Sequence, residues 1–403
     1  MQYPWNYLIN TGLVPEELGS FFDDLEQEEV REALRDLNVE PWLKDLIHAL
    51  LLELGGDAGA ALRIVERIDE ENFYVLYNRQ RLCVILGDLE RAEECEKALK
   101  KMDLDRRQRC LVENEHGKSM WKKSLYGDAI ERFTDVLETA LELGDKFLES
   151  TGYNNIAIVL LDTGEYQQAR ELFTKALEAD SALKNERGIA ISELNLGECC
   201  RRLGDLETAK EFFNECIKAL EVIDEYERTR LRADCYWNLG QIFLQERNFE
   251  NAAENFEKAL EFGTKTKDEE LLARIYLSMG HLAVERNSLE EAKEYMQIAY
   301  EKAKAINSKK YEGESYALRG RIHEKERKYA EALQSYGLAI FLFRQINDRY
   351  NMAKMEEAAG SIYLLQGDKE RAIDYFKKAK AAYAARSYRD FVAVDEKLKE
   401  IES

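Results

Sequence analysis

The sequence predicts an all-α chain: an α-α superhelical solenoid of about eight to nine stacked helix pairs, closed by terminal capping helices. Three observations carry that reading. The only prolines are Pro4, Pro15 and Pro41, so nothing after residue 41 breaks a helix by losing its N–H. Similar segments recur down the chain: "TGEYQQARELFTKALE" (163–178), "LGDLETAKEFFNECIK" (203–218), "QERNFENAAENFEKALE" (245–261) and "QGDKERAIDYFKKAKA" (366–381). Each is preceded by a second helical segment such as "YNNIAIVLL" or "YWNLGQIFL".

The third observation is an alanine that returns in every copy: Ala61, Ala92, Ala129, Ala169, Ala209, Ala252, Ala292, Ala332 and Ala372. Twelve residues before each stands Ala49, Gln80, Gly117, Ala157, Gly197, Gly240, Gly280, Gly320 or Gly360. Four residues after the last seven alanines stand Phe133, Phe173, Phe213, Phe256, Met296, Tyr336 and Phe376. Glycine inside a helix costs about 1 kcal/mol against alanine. Its return at one register implies a packing gain that outweighs the cost. The expectation is that glycine of the first helix faces alanine of the second at a close crossing.

This pattern resembles the tetratricopeptide repeat, an antiparallel helix pair, A then B. In that family position 8 of helix A is small, position 20 of helix B is alanine, and positions 24 and 27 are apolar. The resemblance covers residues 42–387. Successive position-8 residues are 31, 37, 40, 40, 43, 40, 40 and 40 apart, against the usual 34. The helices therefore run longer than standard, as in the forty-residue subclass of polarity adaptor scaffolds, kinesin light chains and bacterial peptide-sensing regulators. Junctions such as "ELGDK" (142–146) and "QINDR" (345–349) fit that subclass.

In order along the chain, residues 1–41 read as an N-terminal helical cap with its clearest helix at "EQEEVREALRDL" (26–37). Residues 42–109 read as degenerate helix pairs, with Gln80 and Glu96 where small and aromatic residues belong. Residues 110–387 hold seven regular copies, and 388–403 read as an amphipathic capping helix.

Composition excludes several classes. A net charge of −21 and a pI near 4.9 oppose binding to phosphate backbones. No run approaches the roughly 18 apolar residues of a membrane span. The N-terminal residues lack the basic start and apolar core of a signal peptide. Seven cysteines without metal-type spacing point to reduced thiols in a cytoplasm.

No catalytic constellation stands out, so the chain reads as a non-enzyme without cofactor or metal. Gly117-Lys118-Ser119 is the tail of a phosphate-binding loop, but Val112 stands where that motif needs glycine, and Gly117 falls inside a helix. His48, His116, His281 and His323 form no metal-ligand spacing. Cys199-Cys200 reads as packing, because buried cysteine behaves as a small hydrophobe.

The resemblance implies that helix A lines a concave groove and that positions 2, 5, 9, 12 and 13 face it. Those positions hold Asn114, Lys118, Trp121, Lys122, Arg201, Arg202, Arg274, His281, Arg321 and Lys325. Asn155, Asn195 and Asn238 take position 6 in three consecutive copies, where an amide can donate to and accept from a peptide backbone. Basic and acidic groove residues nearly balance while the whole chain is at −21. The lining is thus expected to be relatively positive and to favour an acidic peptide segment. The chain reads as a cytoplasmic scaffold or adaptor that binds a protein or peptide. The alternative is a peptide-sensing regulator whose N-terminal helices act on a signalling partner.

Overall fold

The computed structural model describes residues 13–15, 39–220, 225–266, 268–383 and 388–402. Most of the expected N-terminal cap, including 26–37, lies outside the described residues. Among the described residues there are nineteen helices and no strands. The chain divides into two compact units, Met1–Cys235 and Tyr236–Ser403.

In the first unit the helix pairs are α1 (Pro41–Leu54) with α2 (Ala58–Val65), α3 (Phe73–Leu86) with α4 (Leu89–Leu99), and α5 (Arg106–Lys122) with α6 (Tyr126–Leu143). They continue as α7 (Lys146–Thr163) with α8 (Tyr166–Leu183), and α9 (Glu186–Leu203) with α10 (Leu206–Ala219). Helix α11 (Glu225–Gln245) carries the boundary between the units and precedes α12 (Phe249–Thr266). The second unit continues with α13 (Glu269–Glu285), α14 (Leu289–Ala305), α15 (Lys309–Lys325) and α16 (Tyr329–Gln345). It ends with α17 (Arg349–Leu365), α18 (Lys369–Tyr383) and α19 (Tyr388–Glu402).

The nine repeated alanines are all buried, none more than 1% exposed. The atoms nearest most of the position-8 glycines are those of rings. A Cβ added at Gly117, Gly197, Gly240 or Gly320 would lie 2.4–2.6 Å from the ring of Phe133, Phe213, Phe256 or Tyr336. At these four positions the glycine of helix A is therefore a seat for the position-24 ring of helix B. Each ring is fully buried and contributes about 1.5–3 kcal/mol by leaving water. The seventh copy differs because Met296 replaces the ring and is only partly buried. There the space over Gly280 is filled by Leu318 of α15.

Turns are as regular as the core. Ser124, Gly164, Gly204, Arg247, Asn287, Arg327 and Gly367 all have φ between 58° and 92° and end helix A at one register. The left-handed residue lets the next N–H reach back to the last helical turn, as from Leu125 to the Met120 carbonyl (2.9 Å). At the junctions between copies Gly144 and Asn347 take the same conformation. The aspartate that follows each, Asp145 or Asp348, caps the next helix by accepting its first-turn N–H groups.

The ends are tied to their neighbours. Leu13 and Val14 are buried, and the Leu13 carbonyl accepts from Asn78 Nδ2 at 3.0 Å. Helix α19 buries Val394 and Leu398 in a cluster with Phe376 and Tyr383. The Tyr350 hydroxyl donates to Asp390 at 3.0 Å.

Substituting Gly320→Ala places a methyl against Tyr336, which is held by its hydroxyl bond to Glu324 (2.8 Å). Overpacking of about 1–3 kcal/mol exceeds the helix-propensity gain of about 1 kcal/mol. Gly337→Ala meets nothing within 4 Å and keeps the gain. The urea midpoint is expected to fall in the first variant and rise in the second.

Candidate functional site

In the first unit the inner faces of α3, α5, α7 and α9 enclose a cavity of about 470 Å³. Asn114, Lys118, Trp121 and Lys122 reach it from α5, each a turn or less from the next. Asn155 reaches it from α7. The structure thus brings five of the sequence-predicted residues to one place.

Their partners define the lining. Asn155 Nδ2 donates to Asn114 Oδ1 at 2.7 Å, and Asn195 Nδ2 donates to Asn154 Oδ1 at 3.1 Å. Position 6 of one copy thereby bonds position 5 of the copy before it. These amides hold copies together. Lys118 Nζ lies 2.6 Å from Glu115 Oε1, and Trp121 Nε1 donates to Asp162 at 2.7 Å. Lys122 Nζ reaches the Ile85 carbonyl at 3.1 Å.

Several lining residues escaped the sequence reading. Arg81 makes a two-pronged pair with Glu53 across the α1–α3 step. Asp180 lies at the end of α8, only 3% exposed, and accepts from Ser150 Oγ (2.6 Å) and Asn185 Nδ2 (2.7 Å). A Cβ at Gly188 would stand 2.2 Å from its carboxyl group, so glycine is what admits that group. Burial raises the Asp180 pKa, opposed by the bonds from Ser150 and Asn185 and by the charge of Arg187. Asp180 sits on a B helix, where groove positions are not sought; the glycine near the start of α9 was the available signal.

The remaining predicted cations are engaged by neighbours. Arg201 and Arg202 both bond Glu198, at 2.7 Å each. In the second unit Arg321 pairs with Glu285 at 2.5 Å and with His281 Nδ1 at 2.9 Å. Burial, followed by Arg321 and Lys354, lowers the His281 pKa to about 3, so it accepts as a neutral ring. Arg274 stacks on Trp237 at 4.3 Å. Asn238 is buried on α11 and Lys325 is exposed at the end of α15. The near-neutral lining expected from the sequence is one in which most cations face a carboxylate.

On the opposite side of α5, Glu96, Glu113 and His116 bring their ligand-type atoms within 4.8 Å of one another. Lys100 occupies this cluster, 2.6 Å from Glu96 and 2.9 Å from Glu113. His116 Nδ1 lies 2.8 Å from Glu96. Two cations match two carboxylates, which makes the group an ion quartet. Gly117 lies inside α5 against Phe133, so the Gly-Lys-Ser tripeptide forms no phosphate loop. Cys199 and Cys200 are buried, and burial pushes the Cys199 thiol up to about 12.

A family model of the tetratricopeptide repeat matches residues 108–182, 148–221 and 188–265, and another of the same repeat matches 357–385. The chain carries tetratricopeptide repeats. This repeat protein is similar in fold to the apo form of the quorum sensor NprR from B. thuringiensis. That likeness has 18% identity, a TM-score of 0.63, and covers 88% of this chain and 99% of NprR's. A Rap protein complexed with Competence and Sporulation Factor matches at 16% identity and a TM-score of 0.63, covering 93% of this chain and 100% of its own. Response regulator aspartate phosphatase I of Bacillus subtilis (strain 168) is 29% identical over 114 residues. That match spans 28% of this chain and only 28% of the relative's length.

The ion quartet sets a pH dependence. Hydrogen bonds to Glu113 and Glu96 raise His116 from 6.5 to about 9, so its contribution is full below pH 6.5 and lost as pH rises through 9. The His116 bond lowers Glu113 to about 2, so its contribution is full above pH 4.5 and lost as pH falls through 2. The stability gap between the wild type and His116→Gln, followed by thermal melting, should be widest between pH 4.5 and 6.5, narrow as pH rises from 6.5 and be lost above about pH 9.

Proposed function

We propose that this repeat protein is a non-catalytic cytoplasmic scaffold or adaptor that takes a peptide, or an extended segment of another protein, into the cavity of its first unit. The observation that carries this reading is the cavity's lining. Consecutive A helices present amides, an indole and matched charges at a repeating step, around about 470 Å³. An extended segment offers one donor and one acceptor per residue, which suits such a surface. Trp121, Phe147 and Ile191 supply apolar area between the polar groups. An acidic residue of the segment would compete with Glu115 for Lys118 and with the Ile85 carbonyl for Lys122.

A second reading is a peptide-sensing regulator whose N-terminal residues act on a signalling partner. It is favoured by the solved Rap protein, whose complex with Competence and Sporulation Factor matches in fold over nearly the whole chain. The two readings differ by linkage. In a sensor, bound peptide changes the affinity for the second partner, and that partner changes peptide affinity by the same factor. In a scaffold the two are independent.

Crosslinking mass spectrometry on the full chain in its own cell extract identifies the bound segment, and titration of the synthetic segment gives its affinity. Trp121→Ala and Asn155→Ala should each weaken it about tenfold, which is about 1.4 kcal/mol. Arg202→Ala, whose charge Glu198 already meets, should stay within about twofold. Unchanged affinity in both cavity variants, at unchanged melting temperature, would place the segment elsewhere.

A further inference from the structure

Position 27 of each B helix and position 3 of the next A helix occupy the seam where one copy stacks on the next. In the last seven copies position 27 reads Val136, Ala176, Cys216, Ala259, Ala299, Ala339 and Ala379. Position 3 reads Val112, Gly152, Ser192, Cys235, Ile275, Ser315 and Met355. Only the α10–α11 seam has cysteine on both sides. There the two sulfurs stand 3.1 Å apart, the Cys235 thiol donating to Cys216 Sγ. The Cys216 thiol in turn donates to the Ala190 carbonyl at 3.1 Å. Both residues are fully buried. This is also the seam where position-8 spacing lengthens from 40 to 43 residues, from Gly197 to Gly240.

We propose that Cys216 and Cys235 are a modification site: a dithiol that a small peroxide converts to a disulfide between α10 and α11. One thiolate attacks the peroxide oxygen, releasing hydroxide and forming a sulfenic acid. The second thiolate attacks that sulfur and displaces hydroxide as the S–S bond forms, and the two protons lost from the thiols turn the two hydroxides into water. In sum two thiols and one hydrogen peroxide give one disulfide and two waters. No other pair among the described cysteines is recorded in sulfur contact, so chemistry at the remaining thiols is not channelled into a bond. Because both sulfurs are buried, entry of the oxidant requires local opening of the seam, and the reaction is slow against that of an exposed thiol. Once formed, the bond joins residues nineteen positions apart and restricts the unfolded chain.

The test is hydrogen peroxide titration of the full-length protein, read by non-reducing peptide mass spectrometry and by melting. The expected result is a 216–235 crosslink before any other, loss of two titratable thiols of seven, and a melting midpoint raised by several degrees that dithiothreitol reverses. Cys216→Ala and Cys235→Ser place at these positions residues that other copies already carry there, so both variants keep the fold. Neither should show the shift. A different first crosslink, or seven thiols remaining after peroxide has entered, would overturn the assignment. So would the same melting shift in either variant.

Discussion

The contact on which everything else depends is that of a ring against a helix backbone. At Gly117, Gly197, Gly240 and Gly320 the ring at position 24 of helix B occupies the space of the missing Cβ. That fixes the separation and rotation of the pair. With the pair fixed, the buried alanine at position 20 follows, because nothing larger fits where the helices cross. The left-handed residue that ends helix A follows too, since only that conformation returns the chain within three or four residues. Side chains on the inner face then recur at one height in every copy, and a lining results.

Stacking of copies uses a second, polar set of bonds. Asn155 to Asn114 and Asn195 to Asn154 link neighbouring A helices in the first unit, and Trp237 Nε1 to Ser278 Oγ (2.8 Å) does the same in the second. Asn114, Asn155 and Ser278 are buried and the other three half-buried, so these bonds specify how copies register while apolar contact supplies the adhesion. Asn114, Asn154 and Asn155 also line the cavity of the first unit. Adhesion between copies and recognition of a segment are therefore built from one row of amides.

Much of this was legible in the sequence because close packing leaves few residue types. Nine alanines and six glycines at fixed spacing give the pairs, their order and their long helices. Pairing of polar groups was less legible. Asn155 and Asn195 find partners forty-one residues earlier, a distance no local pattern reports. Arg201 and Arg202 meet Glu198 at i+3 and i+4, so their neutralisation was open to a local reading that weighed only which face they occupy. The ring's contact with the glycine was missed because a ring reaches farther than its position in the helix suggests. Asp180 was hidden by standing on the other helix of its pair.

The paired charges of the cavity make binding there an exchange. A group that takes Lys118 must leave Glu115, of which only 2% is exposed, with its charge unmet. A lone carboxylate therefore gains little by entering. A ligand that brings an acceptor for the lysine together with a donor for the glutamate leaves no charge stranded. Selection then rests on the order of charges along the ligand, and its sum counts for less.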